Sequence, residues 1–423
     1  MHYKAKINHI EAKEILDSRG NPTLSAMVRT ETANGFFCGS ASVPAGASTG
    51  KYEAVELRDG DLRRMNGRGC LKAVGNVNTV IAQALNGEAA DDQRGIDRKL
   101  RELDGTPNKS NLGANAILAV SLACAVASAK AYGLPLWRYL GGIYAKRKFS
   151  RPMLNVINGG VHADNSLDFQ EFMIVPVGAT TFWKAMDDAV AVYHSLKALL
   201  KQRGFSTAVG DEGGFAPNLK REEDALGAIC DAIEASGLKP GTDVAIALDV
   251  AASEWTGDDG NYHLPKAKKV YTPQQLIRRY RSLCSLYPIV SIEDGAGEDD
   301  MPMWQALTQR MGHSMMLVGD DLFVTNTERL GRGIDAGIAN AVLIKPNQIG
   351  TLTETLDTIS FAREHGYRVI LSHRSGETAD TFIADLACAV NADFMKAGAP
   401  CRAERTEKYN RLKSVYAETT GDF

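Results

Sequence analysis

Six apolar runs in the second half of the chain each end in an ionisable residue. VAIAL ends in Asp249, IVSI in Glu293, MMLVG in Asp320, AVLI in Lys345, VILS in His373 and DFM in Lys396. One carboxylate after a strand ordinarily caps the next helix. A series of them on one face needs another account, because crowded Asp, Glu and Lys repel or neutralise one another without a cation or an anionic ligand. Asp249, Glu293 and Asp320 are hard oxygen ligands and suit Mg2+, which keeps some coordination positions for water or substrate. The chain has no H-E-x-x-H and no Cys/His cluster, so zinc is not indicated. Lys345 and Lys396 share the same face. A lysine beside a divalent cation and a second lysine is expected to have a lowered pKa, which makes a neutral general base. The other lysine would stay charged and hold a carboxylate. His373-Arg374-Ser375 puts a guanidinium and a hydroxyl in one loop, as an anion or phosphate clamp requires.

Two further segments carry chemistry. GDEGGFAPN (210–218) sets Asp211 and Glu212 before two glycines, so the backbone can run close to a ligand. NGGVHADNSLDFQEFMIVP (158–176) has a Gly-rich loop with His162, then Gln170-Glu171 before an apolar strand. Glu212 and Glu171 are candidates for a paired acid, one carboxyl held protonated to donate to a leaving group. The parts together suggest proton abstraction beside a carboxylate, with metal stabilising the resulting charge.

Such groups need a frame. The ionisable strand ends recur roughly every 25–30 residues after the first step, separated by helix-like segments such as TPQQLIRRYRSL and TLTETLDTISFAREHG, which is the rhythm of a (β/α) barrel. The fold class expected is therefore α/β, with a C-terminal (β/α)8-type barrel over 141–423. Residues 1–140 are expected to form an α+β capping or lid domain. Its strands fall at 4–16 and 24–30, and a long helix after Asn111 stops near Tyr132-Gly133, before Pro135. The loop SVPAGASTG (42–50) can be a turn, a phosphate cradle or a lid.

The 423 residues are 44% hydrophobic with a net charge of −3, so no bulk field draws the chain to nucleic acid or a membrane surface. Leu112–Ala131 is apolar but Ala-rich and broken by Asn115, Ser121, Ser128 and Lys130, which favours a buried helix. Seven dispersed cysteines and the absence of an apolar leader point to the cytoplasm. The basic clusters Lys146–Lys148 and Lys266–Lys269 read as solvated surface.

The chain resembles the enolase family along its whole length. The resemblance rests on EILDSRGNPT, SVPxGASTG, NLGANAIL, NGGxHAxN, QEFMIVP, GDEGGFAPN, ALDVAASE, SIEDG, VGDDLFVTN, IKPNQIGTLTET, LSHRSGET and GAPCRAERxEKYN, in order. It implies an N-terminal α+β domain on a barrel that begins irregularly with an antiparallel strand. It also implies interconversion of 2-phosphoglycerate and phosphoenolpyruvate. On this resemblance, Asp249, Glu293 and Asp320 bind one Mg2+, and Ser48 joins a second. Lys345 removes the C2 proton, and Glu212, with Glu171 beside it, assists loss of the C3 hydroxyl. Lys396 neutralises the substrate carboxylate. His373, Arg374 and Ser375 hold phosphate or carboxylate, and Gln170 and His162 line the site. A homodimer or homo-octamer is implied.

Departures accompany the likeness. The family's usual serine in SVPSGASTG is Ala45, its K-T-G-A-P carries Ala397, its R-S-E-R carries Ala403, and Pro346 follows Lys345 directly. Three hydroxyls are missing from motifs that carry the chemistry. That raises an alternative, a paralogue resembling the carboxyphosphonoenolpyruvate synthase of phosphinothricin-type pathways, acting on a modified phosphorus substrate. A lesser alternative is an enolase-like scaffold or binding protein.

Overall fold

A computed structural model describes residues 5–46, 50–145 and 148–420. Three antiparallel strands open the chain: β1 (Lys6–Leu16), β2 (Pro22–Thr32) and β3 (Gly35–Ser42). The alternation of buried and exposed positions along β1 and β2 is the period-two signal visible in the sequence. β3 escapes that signal because glycines interrupt it. The helix Ala114–Ala131 packs on β2 and β3 and is buried along nearly all its length. Its length and apolarity would suffice for a membrane span, but here they serve the core of this domain. The contact demands small residues on both sides. A Cβ on Gly39 would lie 2.1 Å from the Ala127 nitrogen and 2.5 Å from the Ala123 oxygen, so only glycine permits this approach of strand to helix.

The second half closes a barrel from β4 (Arg151–Asn158), β5 (Glu171–Val175), β6 (Ala245–Asp249), β9 (Ile289–Glu293), β10 (Met316–Gly319), β11 (Ala341–Ile344), β12 (Arg368–Ser372) and β13 (Phe394–Lys396). A small hairpin of β7 (Tyr262–Leu264) and β8 (Lys269–Tyr271) lies outside it. Neighbouring barrel strands are parallel except on either side of β5, which runs against both β4 and β6. Met153, Met173, Val175, Ala247, Met316, Val318, Ala341, Leu343 and Ile370 form a separate apolar cluster of barrel-strand side chains. Such a fill makes the barrel a packed core with one chemical end.

The outer helices start where the sequence signals them. Thr272 caps the helix Pro273–Leu286 in a reciprocal capping box with Gln275, and the helix carries proline in its first turn. Thr351 caps Leu352–Glu364 through the Glu354 amide. One surface expectation is corrected. Lys266 is half-buried, and its ammonium donates to the carbonyls of Gly160 (2.7 Å) and Ala163 (2.8 Å), so it pins the loop that carries His162. Burial of its stem under that loop, absent from any local charge pattern, is the reason.

Candidate active site

Strand register builds the floor of the site. Glu171 pairs with Asp249 across β5 and β6, and Asp249 pairs with Glu293 across β6 and β9. Because β5 is reversed, its first residue lies level with the last residues of its neighbours. Glu171 therefore stands in one row with two strand-end carboxylates, although it opens its own strand. Lys396 ends β13, and its ammonium reaches into this row. Nζ lies 2.9 Å from Glu293 Oε1, 3.0 Å from Asp249 Oδ2 and 3.2 Å from Glu171 Oε2, with all four side chains buried. Burial pulls the Lys396 ammonium down, but the carboxylates around it outweigh that and hold it well above the usual lysine range.

Asp320 belongs to a second group. Its Oδ2 contacts Lys345 Nζ, and its Oδ1 accepts from Gln348 Nε2 at 2.9 Å. Carboxylate oxygens of Asp294, Asp320 and Asp321 come within 4.8 Å of one another. The three expected metal ligands thus reach one mouth but are divided between two lysines, Asp249 and Glu293 on Lys396 and Asp320 on Lys345. Burial favours neutral Lys345, and Arg374 and Lys396 add to that, yet the Asp320 contact dominates and the net direction is upward.

Pro346 opens a helix directly after Lys345. Lys345 stands just before the short helix Pro346–Ile349, with proline at its first position, where a missing N–H costs nothing. The Lys345 amide instead donates to Thr325 Oγ1 at 2.8 Å.

Glu171 and Glu212 come together in a cluster with His162. Oxygens of Glu171 and Glu212 and a ring nitrogen of His162 lie within 4.8 Å of one another. His162 Nδ1 is 3.7 Å from Glu171 Oε1 and 3.9 Å from Glu212 Oε1. Burial and then the Glu212 charge push Glu171 well above the carboxylate range. Burial acts the same way on Glu212, but His373 and His162 outweigh it and hold Glu212 well below that range. Of the two, Glu171 is the one pushed toward its protonated form. His373 Nε2 lies 3.5 Å from Glu212 Oε2, and Asn155 donates to the same oxygen at 3.1 Å. Gln170 donates to Asp249 Oδ2 at 3.3 Å.

Arg374 has a partner that sequence reasoning missed. Arg374 Nη1 lies 2.9 Å from Glu53 Oε2, and Nη2 lies 3.2 Å from Oε1; both side chains are at most 6% exposed. Glu53 follows the SVPAGASTG loop and stands 321 positions from Arg374, so no local pattern links them. Ser375 Oγ is 3.5 Å from His162 Nε2. Ser48 lies outside the described residues. The stem before it is clamped: Ala45 exchanges backbone hydrogen bonds with Gly376 (2.8 and 2.9 Å), and Arg19 donates to the Gly46 carbonyl at 2.9 Å. Ala45 is buried in that bridge, Ala397 is fully buried directly after Lys396, and Ala403 is exposed at the start of the last helix, Ala403–Thr420. The missing hydroxyl at Ala403 therefore faces solvent, which corrects its grouping with a reshaped pocket.

Two family models match consecutive stretches of the chain: the enolase N-terminal domain over residues 7–140 and the enolase C-terminal TIM barrel domain over residues 147–421. The chain belongs to the enolase family. Enolases generally bind Mg2+, act on small phosphorylated acids and often form oligomers. As an enolase-superfamily chain this one brings a compatible donor set. Its cleft is lined by more carboxylates than cations, every candidate ligand atom is a hard oxygen, and a positive charge, the Lys396 ammonium, already sits against Asp249 and Glu293. Burial, and after it the Asp249 charge, push Glu293 well above the carboxylate range. The residues present fit a divalent cation.

Proposed function

We propose that this enolase-superfamily lyase is a phosphopyruvate hydratase, interconverting 2-phosphoglycerate and phosphoenolpyruvate. The observation that carries the reading is the convergence of Lys345, Lys396, Arg374, the Glu171–Glu212 pair, Asp249 and Asp320 on one mouth, with Glu293 joined to it through Lys396. Asp249, Glu293 and Asp320 would hold Mg2+, with Ser48 serving a second ion. A cation held there would supply positive charge beside the substrate carboxylate, and Lys345, sharing Asp320 with it, would be favoured as the neutral amine.

The remaining work belongs to the chain. Neutral Lys345 takes the C2 proton at Nζ, and the C2–H electron pair delocalises into the substrate carboxylate. Lys396 stays an ammonium against that carboxylate. The C3–O bond then breaks, the electron pair forms the C2–C3 double bond, and the Glu171–Glu212 pair delivers the proton that lets hydroxide leave as water. Arg374, with Ser375, holds the phosphate, and the walls around Gln170 and His162 exclude bulk water. The same reading makes the protein a cytoplasmic homodimer or homo-octamer; its cysteines form no disulfide among the described residues.

The test is formation of phosphoenolpyruvate from 2-phosphoglycerate, followed by ultraviolet absorbance with Mg2+ and after chelation. Turnover that depends on Mg2+ is expected, and no turnover by metal-loaded protein overturns the assignment. One observation supports a second reading, the paralogue acting on a modified phosphorus substrate: fully buried Ala397 offers no hydroxyl beside Lys396. Product formation from phosphoenolpyruvate plus phosphonoformate, with 2-phosphoglycerate inert, would favour it.

A further inference from the structure

Arg405 is fully buried and stands between two loops of the site. Its Nη1 lies 2.6 Å from His373 Nδ1 and donates to the Arg374 carbonyl at 2.6 Å. Its Nη2 donates to the carbonyls of Ser375 (2.5 Å) and Asp211 (3.1 Å). Its Nε is 3.5 Å from Glu404 Oε1. One guanidinium therefore ties the His-Arg-Ser loop to the loop that carries Glu212.

We infer that Arg405 is a positioning residue that fixes the tautomer of His373, so that the ring proton sits on Nε2 and points at Glu212. The reasoning is a count of donors. A guanidinium has five N–H groups and no acceptor. At 2.6 Å from Arg405, His373 Nδ1 can only accept. A neutral imidazole with an accepting Nδ1 carries its single proton on Nε2, and Nε2 is the nitrogen that faces Glu212 Oε2 at 3.5 Å. Glu212 Oε2 then meets the His373 N–H at 3.5 Å and accepts from Asn155 at 3.1 Å, and both favour its ionised form. The ring stays neutral in this setting, because burial pulls His373 down to about 4, against the pull of Glu212 and with the help of Arg405. Without Arg405 the proton is free to move to Nδ1, and Nε2 would then turn a lone pair on a carboxylate.

The catalytic consequence rests on the phosphopyruvate hydratase reading, but the tautomer does not, so two readouts separate them. The first is the nitrogen spectrum of the full-length protein labelled with 15N-histidine, with His373 assigned by comparison with His373→Gln. We expect a protonated Nε2 and a bare Nδ1 in the wild type and in Arg405→Lys, which keeps a donor. In Arg405→Met we expect an Nδ1–H tautomer or a mixture. The second readout is turnover of 2-phosphoglycerate. Arg405→Met should lose at least about 10²-fold in kcat with a much smaller change in KM, since a misplaced imidazole proton is costly to proton transfer, and Arg405→Lys should recover part of it. An Nδ1–H tautomer in the wild type overturns the inference, as does an unchanged Nε2–H tautomer in folded Arg405→Met. If Arg405→Met does not fold, the wild-type and Arg405→Lys spectra decide in the same way. If no 2-phosphoglycerate turns over, the functional reading fails while the tautomer result still stands or falls alone.

Discussion

Two lysines reach the same mouth, and the structure separates them by the company they keep. Lys396 touches three buried carboxylates, Glu171, Asp249 and Glu293, whereas Lys345 touches one, Asp320. A pair of unit charges about 3 Å apart interacts by roughly 5 kcal/mol at an effective dielectric constant of about 20. With Glu171 pushed toward its protonated form, Lys396 still has one charged partner more than Lys345, which makes its neutral form harder to reach by a few kcal/mol. Base and electrostatic roles should divide accordingly. Lys345→Ala should lower kcat by about 10²–10⁴-fold, the usual worth of a positioned general base, and should abolish exchange of the C2 proton of 2-phosphoglycerate in deuterated water. Lys396→Ala should act chiefly on KM, through loss of the charge that meets the substrate carboxylate. Proton exchange followed by NMR, alongside phosphoenolpyruvate formation, distinguishes the two. The reasoning fails if Lys345→Ala keeps C2 exchange within tenfold of wild type while Lys396→Ala loses it.

Other consequences follow from packing and charge. Glu53→Gln removes the negative charge paired with the buried Arg374 guanidinium and should cost about 3–5 kcal/mol, read from the urea midpoint; an unchanged midpoint would contradict a buried ion pair. Gly39→Ala drives a methyl into the backbone of the helix Ala114–Ala131, so a loss of about 3 kcal/mol or more is expected, and a stable variant with native circular dichroism would mean the strand and helix are not in this contact. Glu223 is held at about 2 by its hydrogen bonds to Arg279, against the 4.5 of an ordinary glutamate. A depressed folded pKa adds stability that is complete above about pH 4.5 and fades as pH falls toward 2, so the difference between wild type and Glu223→Gln should shrink over that window. A pH-independent difference would argue against the pair.

Much of the barrel was legible because its physics is local. A short apolar run followed by a charged residue and a capped helix records strand, mouth and return in consecutive positions, and β6, β9, β10, β11, β12 and β13 fall where those runs stand. Thr272 and Thr351 announce their helices by the same local chemistry. β3 was not legible, because its Gly39 serves a helix about 80–90 positions away, through contacts at Ala123 and Ala127.

By itself the sequence determined which groups meet at the mouth: the residue at the end of a barrel strand must face that end, whatever lies beside it. Only the tertiary structure decided what each group touches there. The reversal of β5 put Glu171 level with Asp249 and Glu293, Glu53 arrived on Arg374 from the other domain, and Arg405 from the last helix reached the ring of His373. Protonation and tautomer depend on neighbours within a few ångströms, and distant segments of chain supply those neighbours. A strand's own residues can place its last side chain on a face, but they cannot say which charge will be waiting there.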